Sequence, residues 1–300
     1  MGGRMHTGLT RRENLTGWAF TAPALVLLGL FMIYPILWSL YMSFMTGKGM
    51  NFKFGGFANI YRLTQDPIFL HALGNTLTFL AIQVPIMIIL ALVFAVALNN
   101  PRLRGRAVLR TAIFLPCVTS LVVYSVLFKS MFADDGVVND ALLFLHIISE
   151  PIPWMNDPFW AKVLIILAIT WRWTGYNMVF YLAALQNIDP SIYEQARIDG
   201  VPARARFFKI TIPMLRHVIL FTTVLSTIGT LQLFDEVNTI TASQGQGGRP
   251  ADATLTLSLY IYNLTFRFMP SFGYAATISW VIVILVGLLS WAQFRLAREK

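Results

Sequence analysis

The sequence predicts an all-α, polytopic membrane bundle of six transmembrane helices. Three observations carry that reading. The chain is 56% hydrophobic and only 12% charged, with a mean hydropathy of +0.64, where a soluble domain is about a quarter charged. Apolar runs long enough to cross a bilayer, which takes roughly 20 residues, recur along its whole length. Basic residues gather in alternate connections, as the orientation of a membrane protein requires.

The first span, 17–42, lies in a stretch from Gly17 to Gly47 without Asp, Glu, Lys or Arg. It is too long for a signal-peptide core and no small-x-small cleavage site follows, so it is expected to be retained. The second, 73–98, lies in the charge-free stretch Pro67 to Pro101. The third, 108–130, is built on Thr111 to Phe128, and the fourth, 160–185, on Val163 to Ile188, interrupted only by Arg172. The fifth, 214–240, opens after Pro213, and the sixth, 274–296, falls within Phe268 to Phe294. Residues 1–16 and 297–300 are tails, and 17–296 reads as one transmembrane domain.

Orientation follows from the connections. The N-terminal tail holds Arg4, Arg11 and Arg12, and the loop after the second span holds Arg102, Arg104, Arg106 and Arg110. The loop 186–213 holds Arg197, Arg204, Arg206 and Lys209, with Arg216 at its edge; the C-terminal tail holds Arg295, Arg298 and Lys300. All fall on one side of a six-span bundle. The opposite segment 129–162 is acidic, with Asp134, Asp135, Asp140, Glu150 and Asp157. Both termini and the 186–213 loop are therefore predicted to be cytoplasmic. The net charge of +9 is accounted for by insertion and by anionic lipid headgroups, with no need of nucleic acid. Cys117 is the only cysteine and His6, His71, His146 and His217 are scattered, which excludes an internal disulfide and leaves no metal-ligand spacing.

The most informative segment is Asp189 to Pro213. Asp189-Pro190 is an N-cap followed by proline at the first helical position. Asp199-Gly200 stops that helix, because glycine can adopt the left-handed conformation. Pro202 can open a second short helix, and Pro213 the span that follows. The result is a polar helix-turn-helix knob on the end of an apolar bundle.

Glu194-Gln-Ala-Arg-Ile-Asp-Gly200 followed by Ile210-x-Ile-Pro213 resembles the cytoplasmic loop of ABC-type import permeases. That loop runs Glu-Ala-Ala, three residues, Gly, and later apolar-x-apolar-Pro; Gln195 departs from it where Ala is usual. The likeness extends to Tyr34-Pro35, Ser39-x-x-x-Ser43-Phe44, Asn75-Thr76-Leu77, Phe114-Leu115-Pro116 and Leu257-Ser-Leu-Tyr-Ile-Tyr262. These look like the carbohydrate branch, with the maltose, lactose and glycerol-phosphate permeases.

The resemblance implies the type I ABC importer architecture in a bacterial inner membrane. It also implies two ATP-binding cassette ATPase subunits that bind ATP and Mg²⁺, a second related permease (so a heterodimer) and a solute-binding protein that delivers the sugar. The knob would be the coupling helix seated in the ATPase, with Tyr193, Glu194, Gln195, Ala196, Asp199 and Gly200 in that role. The sequence agrees on the division of labour. Its nearest Gly-rich piece, Gly245-Gln-Gly-Gly-Arg249, lacks the lysine and helix of a phosphate loop, so no catalytic residue and no cofactor are expected in this chain. The loops 46–72, 131–159 and 241–273 are long enough to receive the binding protein.

Polar residues inside spans are costly and are default functional candidates. Span four carries Trp171-Arg-Trp-Thr-Gly-Tyr-Asn177, and Gln232, Asp235 and Asn238 follow each other by three on the expected fifth helix, on one face. Sugars offer flat C–H faces and a rim of hydroxyls, which suit aromatic platforms with a few amide or carboxylate partners. Trp173, Tyr176, Asn177, Gln232, Asp235 and Asn238 are accordingly the candidate substrate residues. Arg172 has two readings, an intramembrane ion pair with Asp235 or Glu236 or direct sugar contact. A disaccharide or oligosaccharide is the cargo the resemblance implies. An ABC permease for glycerol phosphate or a polyamine, and an ion-coupled secondary transporter, are the alternatives.

Overall fold

The computed structural model describes residues 6–241, 248, 250 and 252–298. Among the described residues five helical stretches are long and apolar enough to cross a membrane, and a bent pair makes six if its two helices form one span. The first stretch is α1 (His6–Leu28), a π-helical turn (Gly29–Ile33) and α2 (Tyr34–Ser43). Pro35 has no amide to donate, and the Tyr34 N–H reaches back to Gly29 O instead, which widens the turn before the proline. α2 settles on the last helix; residues 13–28 and 30–33 before it are exposed, as a lipid- or subunit-facing surface would be.

The chain then forms a two-residue antiparallel ladder, β1 (Met45–Thr46) with β2 (Lys53–Phe54), and α3 (Ala58–Gln65). The second span is α4 (Pro67–Asn99) and the fourth is α8 (Pro158–Gln186). Both begin with Asp-Pro. Asp66 accepts hydrogen bonds from the Ile68 and Phe69 amides at 3.0 and 3.3 Å, and Asp157 from Phe159 and Trp160 at 2.9 and 3.0 Å. Each aspartate satisfies amides that have no partner inside the helix, and the proline forfeits none. α4 and α8 lie along each other and form the spine of the bundle.

The third span, expected as one helix over 108–130, is two. α5 (Arg106–Val118) and α6 (Leu121–Met131) meet at 102° across Thr119–Ser120. Pro116 removes a hydrogen bond from the last turn of α5, and Thr119 and Ser120 are extended, with ψ of 141° and 135°. The fifth span, expected over 214–240, also breaks. α11 (Ile212–Leu231) ends, Gln232–Phe234 leave the helix, and α12 (Asp235–Ile240) starts afresh. Thr222, Thr223, Thr227 and Thr230 all turn their hydroxyls onto carbonyls of the preceding turn, a pattern that bends helices. The carbonyl of Leu233, freed by the break, accepts from the Thr256 hydroxyl at 2.7 Å.

At the end where α6 and α12 lie, α7 (Val137–Phe144) and α13 (Leu257–Tyr262) complete a cap. Asn139 is fully buried and ties its loop together: its amide donates to the Ala133, Asp134 and Ile152 carbonyls, and its oxygen accepts from Ile152 N and Trp154 Nε1. Asn75 donates to the Asp252 and Leu255 carbonyls, and Thr76 accepts from Leu257 N. Two motifs remote in sequence, Asn75-Thr76 and 257–262, are thus one interaction. The sixth span is α14 (Phe272–Arg298). Gly273 lies so close to Met45 that a Cβ would overlap its carbonyl, and the Thr277 hydroxyl donates to Ser43 O at 3.0 Å. Two apolar cores fill the bundle. One surrounds Phe79, Tyr124, Leu164, Leu231 and Leu257 near the cap; the other joins Ala91, Leu98, Tyr181 and Leu215 toward the opposite end.

Candidate functional site: an exposed knob and a polar cavity

The knob stands at the end of the bundle opposite the cap, as α9 (Pro190–Ile198) and α10 (Ala203–Arg206), followed by a π-helical turn (Phe207–Thr211) into α11. Asp189 caps α9 through Ser191 N at 2.9 Å. Bonds from the Ser191 backbone and side chain lower its carboxyl below the ordinary aspartate value. Gly200 has φ +73°, and Val201 N bonds Ala196 O while Gly200 N bonds Arg197 O. Those two bonds are the Schellman closure that a left-handed glycine permits.

The knob has an inward and an outward side. Ala196 is buried, Tyr193 meets the Thr211 hydroxyl at 3.1 Å, and Arg206 donates to Val201 O. Glu194, Gln195 and Asp199 are exposed, and Ile198 is 85% exposed at the tip. Ile198 escaped the sequence reading; an apolar residue directly before the helix stop is the signal that could have found it. Behind the knob, Tyr193, Glu194, Arg197 and Arg206 share a cleft of about 1080 Å³ with Asn100 and Arg102 of the α4–α5 connection.

The second feature is a cavity of about 330 Å³ where α4, α8 and the break in span five converge. Trp173, Tyr176, Asn177, Gln232, Asp235 and Glu236 line it together, so five of the six candidate substrate residues meet there. They do so across a broken helix. Gln232 lies outside any helix and Asp235 opens α12, so Gln232, Asp235 and Asn238 do not form one helical face. Among the described residues Asn238 is not part of the lining, and its Oδ1 is buried without a hydrogen-bond partner.

The wall includes residues the sequence reading missed. Gln83 is buried on α4, and its oxygen accepts from the Thr230 hydroxyl at 3.0 Å. Met87 receives the amides of Gln83 and Asn177 at 3.2 and 3.4 Å. Gln83 was findable as the polar residue in the middle of an apolar run. From Trp173 an edge-to-face series runs along α8 through Tyr176 to Phe180, with centroids 5.7 and 5.0 Å apart, and on to Phe221 of α11.

Arg172 makes no ion-pair contact with Asp235 or Glu236. Its guanidinium lies over the Tyr124 ring at 5.0 Å, and its Nε and Nη1 are buried without hydrogen-bond partners among the described residues. Asp235 is exposed, which removes it from the expected pair; Glu236 is buried alongside. Trp171 stacks on Tyr124 at 5.9 Å and takes no part in the cavity.

A multi-span helical bundle with an exposed helix-turn-helix knob at one end, and an aromatic-lined cavity carrying several polar groups beside a broken span, has the make-up of a membrane transport subunit. Residues 87–298 match the binding-protein-dependent transport system inner membrane component model. The lactose transport system permease protein LacF of Rhizobium radiobacter is 65% identical over 294 residues, 98% of each chain. The arabinooligosaccharides transport system permease protein AraP of Halalkalibacterium halodurans is 32% identical over 88% of this chain and 81% of its own. A bacterial ABC transporter involved in the import of the acidic polysaccharide alginate superposes with a TM-score of 0.81 over 99% of both chains, at 22% identity, which establishes the common fold. The chain belongs to the binding-protein-dependent transport system inner membrane component family, the multi-pass inner-membrane permeases of ABC importers.

Proposed function

We propose that this chain is one permease half of a sugar importer, with the cavity beside the span-five break as its substrate site. The observation that carries the reading is the composition of that cavity: Trp173 and Tyr176 as aromatic faces, Asn177, Gln232 and Gln83 as amides, and Asp235 as an exposed carboxylate. Such a lining matches the stacked C–H faces and hydroxyl rim of a neutral sugar. The 65% identical lactose permease and the arabinooligosaccharide permease support a disaccharide or oligosaccharide. Arg172 does not line the cavity, which disfavours an anionic cargo such as glycerol phosphate.

In this reading the termini and the 186–213 loop are cytoplasmic. The exposed side of α9, with Glu194, Gln195, Ile198 and Asp199, seats in one of two ATPase subunits; Tyr193, Ala196 and Gly200 hold its shape. ATP and Mg²⁺ are bound by those subunits and none by this chain. A second, related permease completes the pathway, and a solute-binding protein docks on the cap formed by the 46–72, 131–159 and 241–273 loops. Within the last of these, only Gly248 of the Gly245–Arg249 piece lies among the described residues. ATPase closure and binding-protein docking favour the same outward-open state, and by linkage each promotes the other.

Uptake of a labelled sugar panel into vesicles holding both permeases and the ATPase, with binding protein added, tests the proposal. Expected are uptake that requires ATP and binding protein, its loss in Glu194→Arg with intact insertion, and a fall of about tenfold or more in Asn177→Ala/Asp235→Asn, as for two lost polar contacts. ATP-independent uptake would favour an ion-coupled transporter. The carboxylates Asp235 and Glu236 at the cavity favour one second reading, a polyamine cargo, so a labelled diamine belongs in the panel.

A further inference from the structure

At the wall of the cavity, partly behind its lining, lies a buried cluster of ionisable groups: Glu236 and Trp173 line the cavity, and Arg172 and Tyr124 stand behind them. Arg172 and Glu236 are each 6% exposed. The Arg172 guanidinium rests on the Tyr124 ring at 5.0 Å and stands 5.7 Å from the Trp173 ring. Among the described residues its Nε and Nη1, and the Tyr124 hydroxyl, have no hydrogen-bond partner. Glu236 is on α12, which packs on α8; it lines the same wall as Trp173 and makes no ion-pair contact with the guanidinium. A cation and a carboxyl group are thus buried on two packed helices and do not touch. A buried guanidinium has two good partners, an aromatic face and a carboxylate fork, and here both are present with only the first engaged.

The elements that carry the two partners are jointed. Tyr124 is on α6, hinged to α5 by the 102° bend at Thr119–Ser120, and Glu236 is on α12, separated from α11 by Gln232–Phe234. α6 and α12 pack on each other, and α12 also packs on α8. Leu121 at the start of α6 and Asp235-Glu236 at the start of α12 line the cavity. Arg172 sits mid-way along α8, which is unbroken from Pro158 to Gln186. It stands on a continuous helix between two segments that each adjoin a break in their own span.

We propose that Arg172 is the positioning residue of an outer gate. While the cavity is shut toward the cap it lies on the Tyr124 ring; when α6 swings away it makes a two-point contact from Nε and an Nη to the Glu236 carboxylate. Tyr124 stabilises the shut arrangement and Glu236 the open one, so each state keeps the buried cation partnered and intermediate positions do not. This rests on the importer reading and its orientation. It goes beyond them in giving Arg172 a different partner in each state.

Accessibility of the cavity from outside is the measurement. Both permeases and the ATPase are assembled in right-side-out vesicles, with Cys117→Ser and Leu121→Cys, and labelled with a membrane-impermeant maleimide. Labelling is followed at rest and with binding protein plus a non-hydrolysable ATP analogue. Glu236→Gln is expected to leave resting labelling slow and to suppress the driven rate about tenfold, a common size for a conformational coupling. Tyr124→Leu is expected to do the opposite and raise the resting rate by a similar factor. Glu236→Asp keeps the charge and should behave as the parent; Tyr124→Phe keeps the ring and should do the same, so these two decide the matter if the harsher variants fail to assemble. Shifts of the same sign in Glu236→Gln and Tyr124→Leu, parent-like labelling in both, or gate defects in the two conservative variants would overturn the gate and point to a static cluster satisfied by water. No sugar is needed for the readout, so failure to find a cargo leaves it intact, while normal uptake with same-sign labelling refutes the gate alone.

Discussion

Gly175 and Gly200 are glycine for different reasons, and the two reasons lead to different losses. At Gly175, where α5 crosses α8, a Cβ would overlap the Ile113 carbonyl and crowd the Phe114 Cα. All of these are backbone atoms, so one helix must move, at a cost of about 1–3 kcal/mol. Gly175→Ala should lower the thermal midpoint of the purified permease. At Gly200 a Cβ meets nothing, but φ is +73° and an L-residue pays about 1–2 kcal/mol there. That strain falls on the knob alone. Gly200→Ala is therefore expected to spare the midpoint and to weaken ATPase stimulation in the assembled complex; a midpoint lowered as far as in Gly175→Ala would show that the knob is part of the folding core. Gly200 was legible in the sequence because a helix stop is a local signal, Asp-Gly before a proline. Gly175 was not, because its reason lies on another helix.

Single elements divide the same way. Spans two, four and six were readable because an apolar run is a property of neighbouring residues, and the Asp-Pro starts of α4 and α8 mark where those runs become helix. The breaks in spans three and five were not. Pro116 gave a hint for the third, but a proline inside a membrane helix often only kinks it. For the fifth, the freed Leu233 carbonyl is satisfied by Thr256, whose hydroxyl also accepts from Leu259 N at 3.3 Å to cap α13. One hydroxyl thus supports both the end of one span and the start of a helix in the cap. The candidate site shares this history: its aromatic and amide members were visible as polar residues in an apolar run, while their grouping around Gln232–Phe234 depended on a break set by tertiary contact. Thr256→Val leaves the Leu233 carbonyl and the Leu259 amide without that partner, at about 1–3 kcal/mol for each buried group left unpaired. Amide hydrogen exchange should quicken in 232–240 and 257–262 and stay unchanged in α9. Exchange that rises evenly through the bundle would mean that Thr256 stabilises the whole and not the break.

At the scale of the whole molecule, Asp66 closes the bundle at the cap. It caps α4, and its second oxygen accepts the hydroxyls of Tyr260 on α13 and Tyr274 on α14, both at 2.6 Å. Arg62, from α3, lies over the Tyr274 ring at 3.9 Å. Three elements, α4, α13 and α14, meet on one carboxylate, and α3 joins them through the Tyr274 ring. Partial burial pushes its pKa upward, but the two tyrosine hydroxyls and the Phe69 and Ile68 amides outweigh that and hold it below the ordinary aspartate value. A carboxyl with a lowered folded-state pKa contributes stability that is fully present above its unfolded value, about 3.9. That contribution is lost as the pH falls through the lower folded value. Asp66→Asn keeps an acceptor for the α4 amides but weakens two charge-assisted bonds, each worth about 1.5–3 kcal/mol when well formed, less here because the carboxylate is partly exposed to water. The variant should thus melt below the parent at pH 7, by a gap that stays constant down to about pH 5 and narrows below pH 4, where the parent carboxyl takes up its proton. A gap independent of pH across that range would assign the effect to lost packing between α4, α13 and α14, and would remove the carboxylate as the tie between the two ends of the chain.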